Sequence, residues 1–157
     1  MIKIGILGDI GSGKSFVAKS FGYPVFNADN EVAKIYKKNK ICFIKIKKLL
    51  PKYIKTFPID KAELTNAILS NKNNIKKITK IVHPLVRKKL NLFLLKNKNK
   101  KIVILDIPLL LENKLKNKDT ILVFVEAKKS DISKRLNKRK SLNGKIFKRL
   151  KEIQLPL

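Results

Sequence analysis

The sequence predicts an α/β protein, an open parallel sheet interrupted by a helical insertion. Three observations predict it. Ile2–Leu7 is a short apolar run that leads into a glycine-rich turn and then a helical pattern. Ile102–Asp106 and Ile121–Val125 are β-branched apolar runs, as expected of parallel strands buried on both faces. Between these regions, from about residue 30 to about residue 100, apolar residues recur at helical spacing among many lysines.

The elements follow in order. Residues 2–7 read as a strand and Gly8–Gly13 as a turn. Lys14–Phe21 reads as a helix, with Val17 and Phe21 on one face and Gly22 as its stop. Tyr23–Asn27 reads as a second strand, with Pro24 near its start, where a missing N–H is tolerable. Strand–turn–helix–strand is the opening of a parallel sheet. A helix begins over Glu31–Tyr36. Pro51 and Pro58 punctuate the next stretch. Asp60 followed by Glu63 has the form of a capping box and should start a helix through Leu69. Asn71–Asn74 should break it. Ile75, Ile78 and Val82 continue a helical stripe, Pro84 should reset the chain, and Val86, Leu90, Phe93 and Leu94 mark another amphipathic helix. After the two later strands, Ser130–Arg139 and Lys145–Gln154 read as helices.

Composition narrows the class. The 157 residues suit one compact domain, and an apolar content of 44% allows a real core. The single cysteine, Cys42, excludes an internal disulfide framework, and there is no C-x-x-C or His/Cys cluster for zinc. No apolar run approaches the roughly 18 residues of a membrane span. Ile2–Leu7 is too short, and leads into glycines, for a signal peptide. A cytoplasmic, soluble monomer is expected. The 38 Lys+Arg against 11 Asp+Glu give a formal charge of +27. Such a field attracts polyanions. Nearly all the basic residues are Lys, accompanied by abundant Ile and Asn and spread along the chain. That pattern favours AT-rich codon usage over a dedicated nucleic-acid surface, which would cluster its charge or interleave it with aromatics.

The chemistry begins at Gly8-Asp9-Ile10-Gly11-Ser12-Gly13-Lys14-Ser15, a complete G-x-x-x-x-G-K-[ST] between a predicted strand and a predicted helix. Glycines let successive N–H groups of Gly8, Ile10, Gly11, Ser12 and Gly13 turn inward around phosphate oxygens. The start of the following helix adds positive potential. Lys14 reaches the β- and γ-phosphates, and the Ser15 hydroxyl is a ligand for Mg²⁺. The motif implies ATP or another nucleoside triphosphate and a P-loop, three-layer α/β fold. No N-K-x-D motif supports a GTPase. Asp106 ends a strand where a Mg²⁺-associated carboxylate usually stands. Asp29 follows the second strand, expected beside the P-loop strand, at the carboxyl end of the sheet, where open α/β sheets place ligands. It can serve there as a base or, alternatively, as a helix N-cap.

Further signals come in a fixed order: Asn27-Ala28-Asp29, His83-Pro84, Pro108-Leu109-Leu110-Leu111-Glu112, then Arg135 and Arg139 one helical turn apart. This combination resembles the dephospho-coenzyme A kinase family, with its D-A-D, H-P, P-L-L-x-E and R-x-x-x-R pattern, over residues 1 to about 154. The resemblance implies transfer of the γ-phosphoryl of ATP to the ribose 3′-hydroxyl of dephospho-CoA. It makes Asp29 the general base, gives Lys14 and Arg139 catalytic roles on the phosphoryl group, and assigns His83 and Glu112 to substrate binding. It also implies a P-loop core over residues 1–30 and 101–136, a CoA-binding helical insertion over 31–100 and a lid-like helical segment over 137–157. Asn27 departs from the pattern, standing where the first Asp of D-A-D would be. Family members usually run further, with an A-D-x-V-I-x-N strand. Without it Ile121–Val125 would be a sheet edge, the adenine pocket more open and the chain less stable. Two other readings share part of these features: another P-loop nucleotide or small-metabolite kinase, and a basic nucleic-acid-binding P-loop protein.

Overall fold

A computed structural model describes residues 1–107 and 120–137. Among these are four strands, β1 (Ile2–Leu7), β2 (Val25–Asn27), β3 (Ile102–Asp106) and β4 (Thr120–Phe124). Six helices accompany them: α1 (Lys14–Ser20), α2 (Ala28–Lys38), α3 (Lys40–Leu49), α4 (Lys61–Ser70), α5 (Lys72–Lys96) and α6 (Lys129–Asn137). The sheet is parallel throughout, with order β2-β3-β1-β4. None of the described helices is long and apolar enough to cross a membrane.

The two central strands are apolar because both their faces are covered. Ile4 and Ile6 of β1 and Val103, Ile104 and Leu105 of β3 are all buried. Ala18 of α1 joins Ile4, Ile6 and Ile104 in one cluster, flanked by Val25, Ile102, Val123 and Val125. An alanine at this point lets α1 lie close against the sheet, and that closeness sets where the loop before it stands. β4 departs from the expectation of a buried strand. Ile121, Leu122 and Phe124 are each about half exposed (53%, 52% and 48%), and among the described residues β4 pairs with β1 alone. The strand order also corrects a simpler picture. β2 does not lie beside the P-loop strand; β3 stands between them.

The described residues form two compact units: Met1–Ala28 with those from Leu90 on, and Asp29–Lys89. The second unit is helical. Its interior is built from Ile35, Cys42, Ile46, Ile54, Ala67, Ile78, Val82 and Val86. Cys42 and Ile46 of α3, and Ile78, Val82 and Val86 of α5, are spaced i, i+4 on one face of their helix, while Ile54 comes from the loop between α3 and α4. Burial pushes the Cys42 thiol up to about 11, so it stays protonated at neutral pH.

Several boundaries differ from those expected. Asp60 caps α4, its Oδ1 accepting from Ala62 N at 2.9 Å, but Glu63 does not complete the box. Its carboxylate instead accepts from the backbone N–H groups of Lys55 (3.1 Å) and Thr56 (3.4 Å), tying down the preceding loop. The Asn71–Asn74 break shrinks to Asn71 alone, whose extended backbone separates α4 from α5. Asn74 is a buried residue within α5, its amide donating to Ala67 O at 2.8 Å. Pro84 does not reset the chain; it lies inside the 25-residue α5. Proline lacks the N–H that would bond the Lys80 carbonyl. Pro84 is exposed, so water can serve that carbonyl, while Val82 and Val86 on the buried face hold the helix together.

Candidate phosphate-binding and phosphoryl-transfer site

The loop between β1 and α1 has the backbone its glycines permit. Gly8, Gly11 and Gly13 have φ of +140°, +89° and +104°, a region side-chain-bearing residues avoid. Close approach adds a second demand at Gly8. A Cβ there would collide with the Val125 carbonyl and stand 2.9 Å from Ser12 Oγ. Val125 is itself fixed by its N–H bond to Leu7 O at 2.8 Å, so β4 braces the start of the loop. Within the loop, Ser12 N donates to Asp9 O at 3.1 Å. The Lys14 ammonium donates to the carbonyls of Gly8 and Asp9, both at 2.7 Å, which holds its charge against the loop.

The end of the motif meets the end of β3. Ser15 Oγ donates to Asp106 Oδ2 at 2.5 Å, and Asn27 Nδ2 donates to the same oxygen at 2.5 Å. Asn27 Nδ2 is also 3.4 Å from Ser15 Oγ. Asn27 and Asp106 are register partners at the ends of β2 and β3. The parallel pairing therefore places both at the carboxyl end of the sheet, next to the loop that follows β1. Asp106 is buried, and its two donors satisfy the charge that burial would otherwise penalise.

A third contribution escaped the sequence assignment of site residues. The Arg135 guanidinium donates through Nη1 to the carbonyls of Ser12 (2.8 Å) and Gly11 (3.1 Å). Its neighbours on α6, Ile132 and Leu136, press on Gly11, where an added Cβ would meet them at 3.2 and 3.3 Å. One face of α6 thus covers the side of the loop where carbonyls point outward, so N–H groups are left for a bound anion. The choice of Arg twice in a chain so rich in Lys was the available signal, but spacing alone could not say which Arg would reach the loop.

Two of the expected substrate residues fall in the helical unit. Asp29 is the second residue of α2, in its first turn; because the helix begins at Ala28, Asp29 is not an N-cap. Its side chain is exposed, on a helix start that favours negative charge. His83 lies in the middle of α5, half-buried, not at a helix start. Burial, and then the neighbouring Arg87, hold its pKa below the ordinary value of 6.5, so it is neutral at pH 7. Glu112 and Arg139, with the expected helix at 145–154 and most of the lid-like segment, lie outside the described residues.

Among the described residues no group of three or more His, Cys, Asp or Glu could hold a metal ion. Mg²⁺ usually takes one or two protein oxygens and fills its shell with water and substrate phosphates. The adjoining Ser15 hydroxyl and Asp106 carboxylate are a donor set of this kind.

A parallel sheet, a complete phosphate loop, and a hydroxyl–carboxylate pair at its end define a P-loop protein that binds a nucleoside triphosphate. Comparison with known proteins narrows this class. The family model for dephospho-CoA kinase matches residues 2–157. The dephospho-CoA kinase of Wolbachia sp. subsp. Brugia malayi is 34% identical, over 98% of this chain and 81% of the relative. That of Rickettsia typhi is 35% identical, over 99% of this chain and 81% of its own length. Among solved structures, a Thermus thermophilus protein matches with a TM-score of 0.74 at 32% identity, over 99% of this chain and 81% of that one. The Campylobacter jejuni dephospho-CoA kinase shares the fold, with a TM-score of 0.62 at 23% identity over 97% and 79% of the two chains. The chain belongs to the dephospho-CoA kinase family. Its activity is that of an ATP-using dephospho-CoA kinase, the final step of coenzyme A biosynthesis.

Proposed function

We propose that this chain phosphorylates the ribose 3′-hydroxyl of dephospho-CoA through a site assembled where the phosphate loop meets the end of β3. The observation that carries the reading is the Ser15–Asp106 hydrogen bond, which joins the last residue of the motif to a carboxylate 91 positions away. Gly8, Ile10, Gly11, Ser12 and Gly13 surround the phosphates with backbone N–H groups. Lys14, now bonded to loop carbonyls, transfers its donors to the β- and γ-phosphate oxygens when ATP binds. Ser15 and Asp106 would hold the Mg²⁺ that accompanies ATP. Bound there, the ion would neutralise charge on the transferring phosphoryl group.

Asp29 orients the acceptor hydroxyl and takes its proton as the phosphoryl group transfers. It stands two residues after Asn27, whose amide touches both Ser15 and Asp106. His83 and Glu112 bind the CoA substrate, and Arg139 offsets phosphoryl charge. The scaffold supplies positioning and electrostatic stabilisation, which is most of what phosphoryl transfer requires.

The test is Asp29→Asn with ATP, Mg²⁺ and dephospho-CoA. It should cut kcat by roughly 10²–10⁴ while KM for ATP changes little. An unchanged kcat would remove Asp29 from the mechanism. Equal phosphorylation of AMP or a nucleoside would overturn the choice of acceptor.

A further inference from the structure

We propose that Asn27 is a positioning residue for phosphoryl transfer: its amide locks the Asp106 carboxylate in place and, among the described residues, leaves one carboxylate beside Ser15 where an Asp at this position would make two. This rests on the reading that Ser15 and Asp106 form the cation site.

Three features of the fold carry the inference. Asn27 and Asp106 are the last residues of adjacent parallel strands and are paired in register, so their side chains emerge on the same face. Asn27 Nδ2 and Ser15 Oγ both donate to Asp106 Oδ2, each at 2.5 Å. Asp106 is only 6% exposed, so protein donors replace water around its charge. The amide therefore fixes the rotamer of Asp106, and Asp106 fixes the hydroxyl of Ser15.

Asn27 stands where the D-A-D pattern has an Asp. A carboxylate here would face another at hydrogen-bond distance, and two such charges repel unless a cation lies between them. The amide turns that repulsion into attraction. Two consequences follow. The Ser15–Asp106 pair is assembled without a divalent ion. The site also carries one negative charge fewer, so the ion arrives with the phosphates of ATP and binds weakly alone.

The test compares Asn27→Asp and Asn27→Ala with the unaltered full chain. The readouts are Mn²⁺ binding by electron paramagnetic resonance without nucleotide, thermal melting in EDTA, and steady-state kinetics. Asn27→Asp should bind free Mn²⁺ about tenfold more tightly, the increment of one added charge at close range. In EDTA it should melt below the unaltered chain and recover with Mn²⁺. Asn27→Ala, which removes the donor without adding charge, should lower kcat about tenfold with KM for ATP changed less. Unaltered Mn²⁺ affinity and melting in Asn27→Asp would overturn the proposal. If that variant does not fold, Asn27→Ala decides, and an unchanged kcat overturns it. Ser15→Ala and Asp106→Asn separate the two readings. If neither weakens Mn²⁺–ATP binding, the cation site itself is misassigned; if both do while the Asn27 variants behave as the unaltered chain, only the role of Asn27 fails.

Discussion

Gly8 is the position where the phosphate loop tolerates least, and Gly22 supplies a control. Both have positive φ, +140° and +70°, but nothing lies within 4 Å of a Cβ at Gly22. Gly22→Ala should therefore cost only backbone strain, about 1–2 kcal/mol. Gly8→Ala meets that strain in a region nearly closed to other residues, and also overlaps the Val125 carbonyl. That carbonyl cannot simply retreat, because Val125 N is bonded to Leu7 O and the residue before it belongs to β4. Strain and overlap together come to about 3–5 kcal/mol. For a chain of this length each kcal/mol lowers Tm by about 2–4 °C. Gly22→Ala should melt a few degrees lower and bind ATP normally. Gly8→Ala should melt about 10 °C lower or more, and lose at least about tenfold in ATP affinity as the loop is displaced. Calorimetry of both variants, with ATP titration, checks this. A Gly8→Ala variant that melts with Gly22→Ala and binds ATP like the unaltered chain would refute the close-approach argument.

Two further expectations concern Arg135 and His83. Arg135→Ala removes both guanidinium bonds to the loop carbonyls and should weaken ATP binding by about 5- to 100-fold, from about 1–3 kcal/mol of lost loop organisation. Arg135→Lys should recover part of this, and equal titration curves for all three proteins would show that α6 does not organise the loop. His83 has a folded-state pKa below its unfolded value of 6.5. Its contribution to stability is therefore fully present above pH 6.5 and lost as pH falls from there through the folded pKa, because the unfolded chain takes up the proton first. Between pH 6.5 and 5, the unaltered chain should lose Tm more steeply than His83→Gln, and a histidine NMR titration should have its midpoint below 6.5. A midpoint above 6.5 would contradict the burial that lowers it.

Much of the fold was readable along the chain because its causes are local. The apolar runs of β1 and β3 announce strands covered on both faces, and G-x-x-x-x-G-K-S specifies its loop through positive φ and a lysine at fixed spacing. The structure departs from local preference where tertiary contacts outweigh it. Pro84 reads as a break, yet α5 continues through it because Val82 and Val86 are packed on the opposite face. Glu63 sits at a capping-box position but serves the backbone of Lys55 and Thr56 instead.

The chemistry of the phosphate loop and the alternation of strands and helices were thus set by residue types and their spacing, which act over a few positions. Strand order was not: nothing local says that β3 lies between β2 and β1. That placement brings Asn27, Asp106 and Ser15 together from three segments, and the packing of α6 brings Arg135 onto the loop. Such partners are chosen by how whole elements bury their apolar faces, a property of the assembled sheet that no window of sequence contains.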